Sequence, residues 1–381
     1  MGWLKNLDDE QILLYKFWLP ALINGLIVWV LFLVLGDTPL LRSSGLALVI
    51  VGVTLALRRM GSAIAIIGGL SLALSPAFWS QTGGSDGTPA TIVIALAVAI
   101  ITLILAIAIS KRPYIGLGLG LIVFAGLFWS QIGTPRSIRL TGFIIAWLLY
   151  LLIDMLLLTN PRPEDAPLIL GGGGLKAVDG AVSARPYHIF GILLLITLGI
   201  INDPLVTLLM PTVLLSLLLT NTKLEWWYWL AIGIVLGLGL YGLWNGYGIE
   251  QARYLMLGNW RNGSGWIEMI ELLINQFTIV GLGLSILGLA RLSRWYAPLG
   301  IVSMIGFAAY WIFGIIYTGP NQDTLLLPMY IIFVVWMSYA VLAISEWASR
   351  TFTSEPRIGR YMVIASYGIL PAIMLYRILN I

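Results

Sequence analysis

The chain has 381 residues, of which 59% are hydrophobic and 10% are charged, and this excludes a water-soluble domain because such domains carry about 25% charged residues. The net charge of +4 would favour nucleic acid in a soluble chain, but in a membrane protein it reflects orientation, and no nucleic-acid partner is expected. The absence of cysteine excludes disulfides and iron–sulfur sites, and the single histidine, His188, excludes bis-histidine haem ligation within the chain.

Apolar runs near the ~20 residues that cross the hydrocarbon core recur along the whole chain. They predict an all-α, polytopic transmembrane helical bundle of about thirteen spans, with a range of about eleven to thirteen, surrounded by membrane lipids. The first run lacks a small-residue cleavage site, so we expect it to be retained as a span. The predicted spans are 14–36, 43–58, 62–78, 89–109, 113–132, 138–158, 187–201, 205–220, 226–247, 270–290, 297–317, 325–348 and 359–378.

A loop rich in proline and glycine, 159–186, divides these spans into an N-terminal module, 1–158, of about six spans and a C-terminal module, 187–381, of about seven. Alternating the loops across the membrane puts most of the 21 Lys and Arg residues on the side of the N-terminus. Positive charge marks the cytoplasmic side, so we expect the N-terminus inside and the C-terminus outside a bacterial plasma membrane. The six basic residues on the other side are Arg42, Arg136, Arg139, Arg253, Arg261 and Arg377.

The motif Phe-Trp-Ser-Gln occurs twice, at 78–81 and 128–131, each time at the outer end of a predicted span. The two copies are either paired elements of a ligand site, as internal repeats build, or aromatic anchors at the membrane interface. We favour the anchors because tryptophan is enriched at that depth.

A carboxylate inside a membrane span is costly and indicates function by default. Asp154 is the one acid that lies well inside a predicted span, near its cytoplasmic end. A functional acid and a solvated acid at a helix end are both open interpretations.

Most other informative polar residues fall on the predicted outer face. Asp37, Asp203 and Asp323 lie in turns between spans, although Asn202-Asp203-Pro204 is also a routine turn sequence. The loop 245–275 mixes aromatic, amide and charged side chains, which suit sugar rings and phosphate groups. An amphipathic segment in the membrane interface would have the same composition, and both interpretations are open. The residues in and beside this loop are Trp244, Tyr247, Glu250, Arg253, Tyr254, Asn259, Trp260, Arg261, Asn262, Trp266, Glu268 and Glu271.

Three further segments of the C-terminal module are informative in the order in which they occur. They are Thr-Leu-Leu-Met-Pro at 207–211, Gly-Asn-Trp at 258–260 with Gly and Trp following, and Gln-Asp-Thr-Leu-Leu-Leu-Pro-Met-Tyr at 322–330. From about 187 to 378 this order resembles the GT-C superfamily of integral membrane glycosyltransferases, in the branch related to protein O-mannosyltransferases. Gly36-Asp37-Thr38 stands where that family has a Gly-Asp-Ser-like motif. The chain departs from the family in lacking a His-Pro-Pro-Gly-like element and a histidine-rich outer turn.

The resemblance implies transfer of a sugar from a polyprenyl-phosphate donor to an acceptor at the outer face, with or without a divalent metal and with no other cofactor. Asp37 would be the general base that deprotonates the acceptor hydroxyl. An arginine would neutralise the leaving phosphate, and tryptophan would stack on sugar or isoprenoid. The implied substrate-binding residues are Asp203, Arg253, Asn259, Trp260, Arg261, Trp266 and Asp323, and none is assigned as a metal ligand.

The main alternative is a non-catalytic, GT-C-like subunit that packs against other membrane subunits of a larger, for example bioenergetic, complex. Glycine-rich spans favour it because small residues permit close helix contacts. A transporter is a third class, which would show broken helices and ionisable groups near the midplane.

Overall fold

The computed structural model describes residues 18–82, 138–159, 186–220, 224–352 and 356–380, which form a bundle of helices. This part of the chain contains no strand, and its one β contact is an antiparallel bridge between Leu255 and Tyr317. The prediction of an all-α bundle is therefore confirmed for the described residues. The predicted spans 89–109 and 113–132, most of the loop 159–186 and the second Phe-Trp-Ser-Gln motif lie outside them.

The division into two modules stays a prediction, and the described helices are given in its order. In the first they are α1 (Leu19–Val34), α2 (Leu40–Leu57), α3 (Ser62–Ala73), α4 (Pro76–Trp79) and α5 (Ile138–Thr159). In the second they are α6 (Pro186–Asn202), α7 (Met210–Leu219), α8 (Trp226–Leu243), α9 (Gly263–Trp295), α10 (Ala297–Ile316), α11 (Gln322–Leu325), α12 (Leu327–Thr351) and α13 (Pro356–Leu379). Short 3-10 helices cover Arg58–Met60, Ser80–Thr82, Pro204–Leu209, Ala252–Tyr254 and Asn259–Arg261, and α8 continues as a π-helix over Trp244–Glu250.

Seven described helices are long and apolar enough to cross a membrane, or eight if one bent pair counts as a single span. This finding supports an integral membrane protein, while the total of thirteen spans stays a prediction. The bent pair, Ser62–Ala73 and Pro76–Thr82, turns by 65° because Pro76 has no N–H with which to continue the helix. The predicted span 270–290 is part of the longer helix α9, and the span 205–220 opens with a 3-10 turn.

The bundle has two ends, which we name after Asp203 and Asp154. At the Asp203 end, Arg139 Nε donates to the carbonyl of Gln81 at 2.9 Å, and Asn202 Nδ2 donates to Thr141 Oγ1 at 2.9 Å. At the Asp154 end, the hydroxyl of Tyr296 donates to the carbonyl of Leu156 at 2.5 Å. Hydrogen bonds between helices thus fix both ends.

Helices α9 and α12 form the most extensive helix–helix contact among the described residues. A Cβ atom added at Gly288 would lie 1.8 Å from the backbone oxygen of Trp336, so only glycine allows this approach. Nearby, the rings of Phe277 and Phe333 stack at 5.2 Å. This contact fixes the position of α9, and the first half of α9 carries the site described below.

Asp154 is ion-paired and only 12% exposed. Its Oδ1 atom accepts from Arg58 and, at 2.9 Å, from Arg59, while its Oδ2 atom lies 3.2 Å from His188 Nε2. The carboxylate therefore joins the ends of α2, α5 and α6. Of the two interpretations left open by the sequence, a solvated acid does not fit this burial.

Candidate functional site

An open cleft at the Asp203 end lies between the first half of α9 and the short helix α11. It has a volume of about 360 Å³, and all but one of its lining residues have polar side chains. Positions three to four apart share a face of a helix, so the polar residues of α9 form one stripe along the cleft. The lining residues are Glu268, Glu271, Leu272, Asn275, Gln276 and Asp323.

Gln276 forms the buried floor of the cleft, with 4% of its surface exposed. Its Oε1 atom accepts the backbone N–H of Ala77 at 2.9 Å, which ties α9 to α4. The Nε2 group has no hydrogen-bond partner in the part of the chain that the structure describes.

Asp323 faces this stripe from the opposite wall and is half-buried. The turn before it is set by Asn321, whose φ of 59° lies in the left-handed region that asparagine tolerates better than most residues. Gln322 fixes the turn from the other side, since its Nε2 donates to the carbonyl of Gly314 at 2.5 Å. The position of the Asp323 carboxylate is thus held by its two neighbours.

Behind the cleft, α9 is broken at Thr278, with φ 65° and ψ 170°. Positive φ is rare for a β-branched residue and indicates local strain. Two buried hydroxyls in this region, Thr278 Oγ1 and Tyr330 OH, have no partner among the described residues. Tyr330 packs against Phe277 with ring centroids 5.9 Å apart, so both hydroxyls lie where α9 meets α12.

The loop between α8 and α9 docks beside the cleft rather than hanging free. The amide of Met256 donates to the carbonyl of Ile316 at 2.8 Å, and the amide of Thr318 donates to the carbonyl of Tyr254 at 2.9 Å. Tyr317 adds a hydrogen bond to Gln251 Oε1 at 3.0 Å. The loop is thereby fixed to the turn that leads to Asp323.

This docked loop carries its predicted binding residues on its outer surface. Arg253 lies over the ring of Tyr254 at 4.6 Å, and Arg261 lies over the ring of Trp260 at 5.1 Å. The indole of Trp266 donates to the carbonyl of Trp260 at 2.9 Å. Both arginines and both tryptophans are exposed, whereas Asn259 is half-buried in a 3-10 turn. Cations held on exposed rings remain available to an anionic group.

Asp203 lies at the same end but is 2% exposed. Its carboxylate accepts the amide of Leu205 at 3.0 Å, so it caps the turn that opens the next helix, and it accepts the hydroxyl of Tyr247 at 3.5 Å. With these contacts Asp203 serves as a structural N-cap of the 3-10 turn Pro204–Leu209. Asp203 does not line the cleft, and a role in binding stays a prediction.

Asp37, the predicted general base, is exposed and has a φ of 43°. Its turn is anchored by Phe32, whose carbonyl accepts the amides of Gly36 and Thr38. Phe32 packs on Phe78 and Trp79 of the first Phe-Trp-Ser-Gln motif, at 6.1 and 5.3 Å. Asp37 is therefore at the Asp203 end but outside the cleft lining, and its catalytic role stays a prediction.

Of the predicted site residues, the structure brings Asp323 into the cleft and places the loop residues beside it. The sequence had marked Glu268 and Glu271 as polar loop residues, but it missed Asn275 and Gln276. The available signal was the helical spacing of polar residues between 268 and 276 in an otherwise apolar segment.

Within the described residues, no group of three or more histidine, aspartate or glutamate side chains is arranged to hold a metal ion. The divalent metal that the GT-C resemblance left open stays a prediction. Comparisons with known proteins find no matching family model, no similar curated protein and no solved structure of similar fold.

Proposed function

We propose that this protein is a membrane glycosyltransferase-like protein that binds a polyprenyl-phosphate-linked sugar at the Asp203 end, with the sugar in the cleft. The single observation that carries the proposal is the lining of the cleft by three carboxylates and two amides. Such groups accept from and donate to sugar hydroxyls. The volume of about 360 Å³ falls within the roughly 300–1,000 Å³ usual for small-molecule sites.

The docked loop supplies the complementary chemistry for the lipid phosphate. Arg253 and Arg261 are exposed beside the cleft, and guanidinium groups pair with phosphate through two parallel hydrogen bonds. Trp260 and Trp266 offer flat apolar faces to sugar or isoprenoid. A donor with its sugar in the cleft and its phosphate at the loop would use both features.

The proposed reaction is a displacement at the anomeric carbon of the donor. A cleft carboxylate, for which we favour Asp323, takes the proton of the acceptor hydroxyl. The oxygen of that hydroxyl then forms the new bond to the anomeric carbon. The bond from the carbon to the phosphate oxygen breaks, and Arg253 or Arg261 neutralises the phosphate that leaves. Asp323 is favoured over Asp37 because it lines the cleft.

The test is sugar transfer by the full chain, purified into nanodiscs and supplied with polyprenyl-phosphate sugars and hydroxyl acceptors. We expect Asp323→Asn to lower transfer by about 10²–10⁴-fold, the usual contribution of a general base. Glu225→Gln, an exposed acid outside the cleft, is the matched control and should leave transfer unchanged. Asp37→Asn in the same assay decides between the two candidate bases. Full transfer by both Asp323→Asn and Asp37→Asn would contradict the mechanism.

A second candidate function, a non-catalytic subunit, is favoured by helix α8. Only 11% of the residues in the apolar window of the span Trp226–Glu250 are buried in the described structure. Gly233 and Gly237, four residues apart, would meet no described atom within 4 Å if a Cβ were added. This spacing of small residues suits close packing of another membrane helix. Recovery of a stable complex after mild detergent extraction, together with absence of transfer by the isolated wild-type chain, would favour this candidate.

A further inference from the structure

The first half of α9, residues 263–277, has three faces of different chemistry. One face packs into the bundle, and its buried residues are spaced three to four apart, as on one side of a helix. A second face is apolar and at least partly exposed, and a third is polar and lines the cleft. The buried face comprises Gly265, Met269, Leu273 and Gln276, the apolar face Ile267, Ile270 and Ile274, and the polar face Glu268, Glu271 and Asn275.

The charged residues of α9 indicate its depth in the membrane. The 19 residues 272–290 carry no charge and lie between Glu271 and Arg291. At a rise of about 1.5 Å per residue, this segment covers roughly 28 Å, close to the ~30 Å of the hydrocarbon core. Arg291 lies over the ring of Trp295 at 4.2 Å, and basic and aromatic side chains of this kind are typical of the membrane interface. Asn275, four residues from Glu271, therefore lies about 6 Å within the depth of the hydrocarbon core.

Asn275 decides what the polar face contacts. Its side chain is exposed to the cleft, and its amide makes no side-chain hydrogen bond within the described part of the chain. An amide that faced acyl chains at this depth would lose all the hydrogen bonds that water offers, which is strongly unfavourable. Water in the cleft supplies those hydrogen bonds.

The apolar face of the same half-helix fits the opposite surroundings. Ile267 and Ile270 are exposed, and the exposed apolar surface continues beyond the break at Thr278 through Ile279 and Val280. This surface belongs to a helix that is long and apolar enough to cross a membrane. A continuous apolar surface on such a helix is stable against lipid chains and unfavourable against water.

We propose that the first half of α9 separates lipid from water at hydrocarbon depth. Its apolar face contacts acyl chains, and its polar face, with Asp323 on the opposite wall, lines a water-filled inlet whose floor is Gln276. Water-soluble groups from the Asp203 end thereby reach Asn275 without crossing lipid. The inlet is the cleft of the proposed function, but its filling by water does not depend on sugar transfer, so the two proposals fail separately.

The test uses single-cysteine variants of the full chain in nanodiscs, since the sequence contains no cysteine of its own. Asn275→Cys places a thiol on the polar face, and Ile274→Cys is the matched control on the apolar face, about 1.5 Å away in depth. The reagent is a methanethiosulfonate with a trimethylammonium group, which stays in water. Because apolar surroundings suppress the reactive thiolate, we expect Asn275→Cys to react more than about tenfold faster than Ile274→Cys. Thermal unfolding checks that both variants fold, and Glu271→Cys with Ile270→Cys is a second pair one turn away.

A second measurement reports contact with lipid. Nitroxide labels on the same cysteines are exposed to oxygen, which concentrates in lipid, and to a neutral nickel chelate, which concentrates in water. We expect oxygen to relax the label of Ile274→Cys more strongly, and the nickel chelate to relax that of Asn275→Cys more strongly. Equal reaction rates with equal relaxation at the two positions would overturn the proposal. Slow reaction of Asn275→Cys would also overturn it, with relaxation by oxygen indicating lipid at the polar face and relaxation by neither agent indicating a protein cover.

Discussion

The two ends of the bundle arrange charge in opposite ways. At the Asp154 end, a single buried carboxylate is surrounded by Arg58, Arg59 and His188, and the side chains are turned toward one another. At the Asp203 end, three carboxylates and two amides line an open cleft, while the nearby arginines stand outside it on aromatic rings. The charges around Asp154 thus face one another, whereas those in and beside the cleft face outward.

This difference separates groups that hold helices together from groups available to a ligand. Removing one partner of a buried ion pair strongly destabilises the fold, because the remaining charge stays buried without compensation. Exposed carboxylates in a cleft are solvated and tolerate substitution without loss of folding. Substitutions at the Asp154 end should therefore change stability first, and those at the Asp203 end should change binding first.

The largest expected effect is that of Asp154→Asn. The variant removes the negative charge that two largely buried guanidinium groups share, so we expect the free energy of unfolding to fall by about 3–5 kcal/mol. Thermal unfolding in a mild detergent measures the change. Glu271→Gln, an exposed acid of the cleft, is the control and should leave stability nearly unchanged. Equal stability of the two variants would contradict the contrast between the ends.

A smaller effect is expected from Gly288→Ala, in the half of α9 that runs toward the Asp154 end. The new Cβ atom would lie 1.8 Å from the oxygen of Trp336, and separating α9 from α12 should cost roughly 1–3 kcal/mol. Gly283→Ala is the matched control on the same helix, because a Cβ there meets no described atom within 4 Å. The control should be neutral or stabilising by up to about 1 kcal/mol. Destabilisation by both substitutions alike would argue against the close contact.

The smallest expected effect is a gain in stability for Thr278→Gly, at the break between the two halves of α9. Glycine adopts positive φ without strain and removes a buried hydroxyl that has no described partner, so stability should rise by about 1 kcal/mol. Chemical denaturation measures this change. Thr278→Val also removes the hydroxyl but keeps the β-branch and the strain, so it should give a smaller gain. Destabilisation by Thr278→Gly would indicate that α9 is continuous there.

The sequence predicted much of the fold because hydropathy determines which segments enter a membrane. The helices near 138–158, 226–247, 297–317 and 325–348 have bounds close to those predicted. The breaks were harder to foresee. Pro76 gave a local signal for the bend after α3, but nothing in the residues around Thr278 marks the break in α9.

The site was predicted only in part, because it depends on contacts between residues far apart in sequence. Asp323 and the loop carrying Trp260 were expected at one end, and the structure places both there. Gln276 was missed because its role depends on Ala77, which lies in the other module. For Asp154, the unusual location was recognised from the sequence, but its partners Arg58 and Arg59 were not.

Gly258 has a practical consequence for labelling this protein. It lies at the exposed tip of the docked loop, where a built Cβ meets no described atom within 4 Å, and the backbone bonds of Tyr254 and Met256 secure the chain just before it. A short epitope tag inserted there would leave those bonds in place. Antibody access to that tag in intact cells, compared with inverted vesicles, would reveal the sidedness of the cleft.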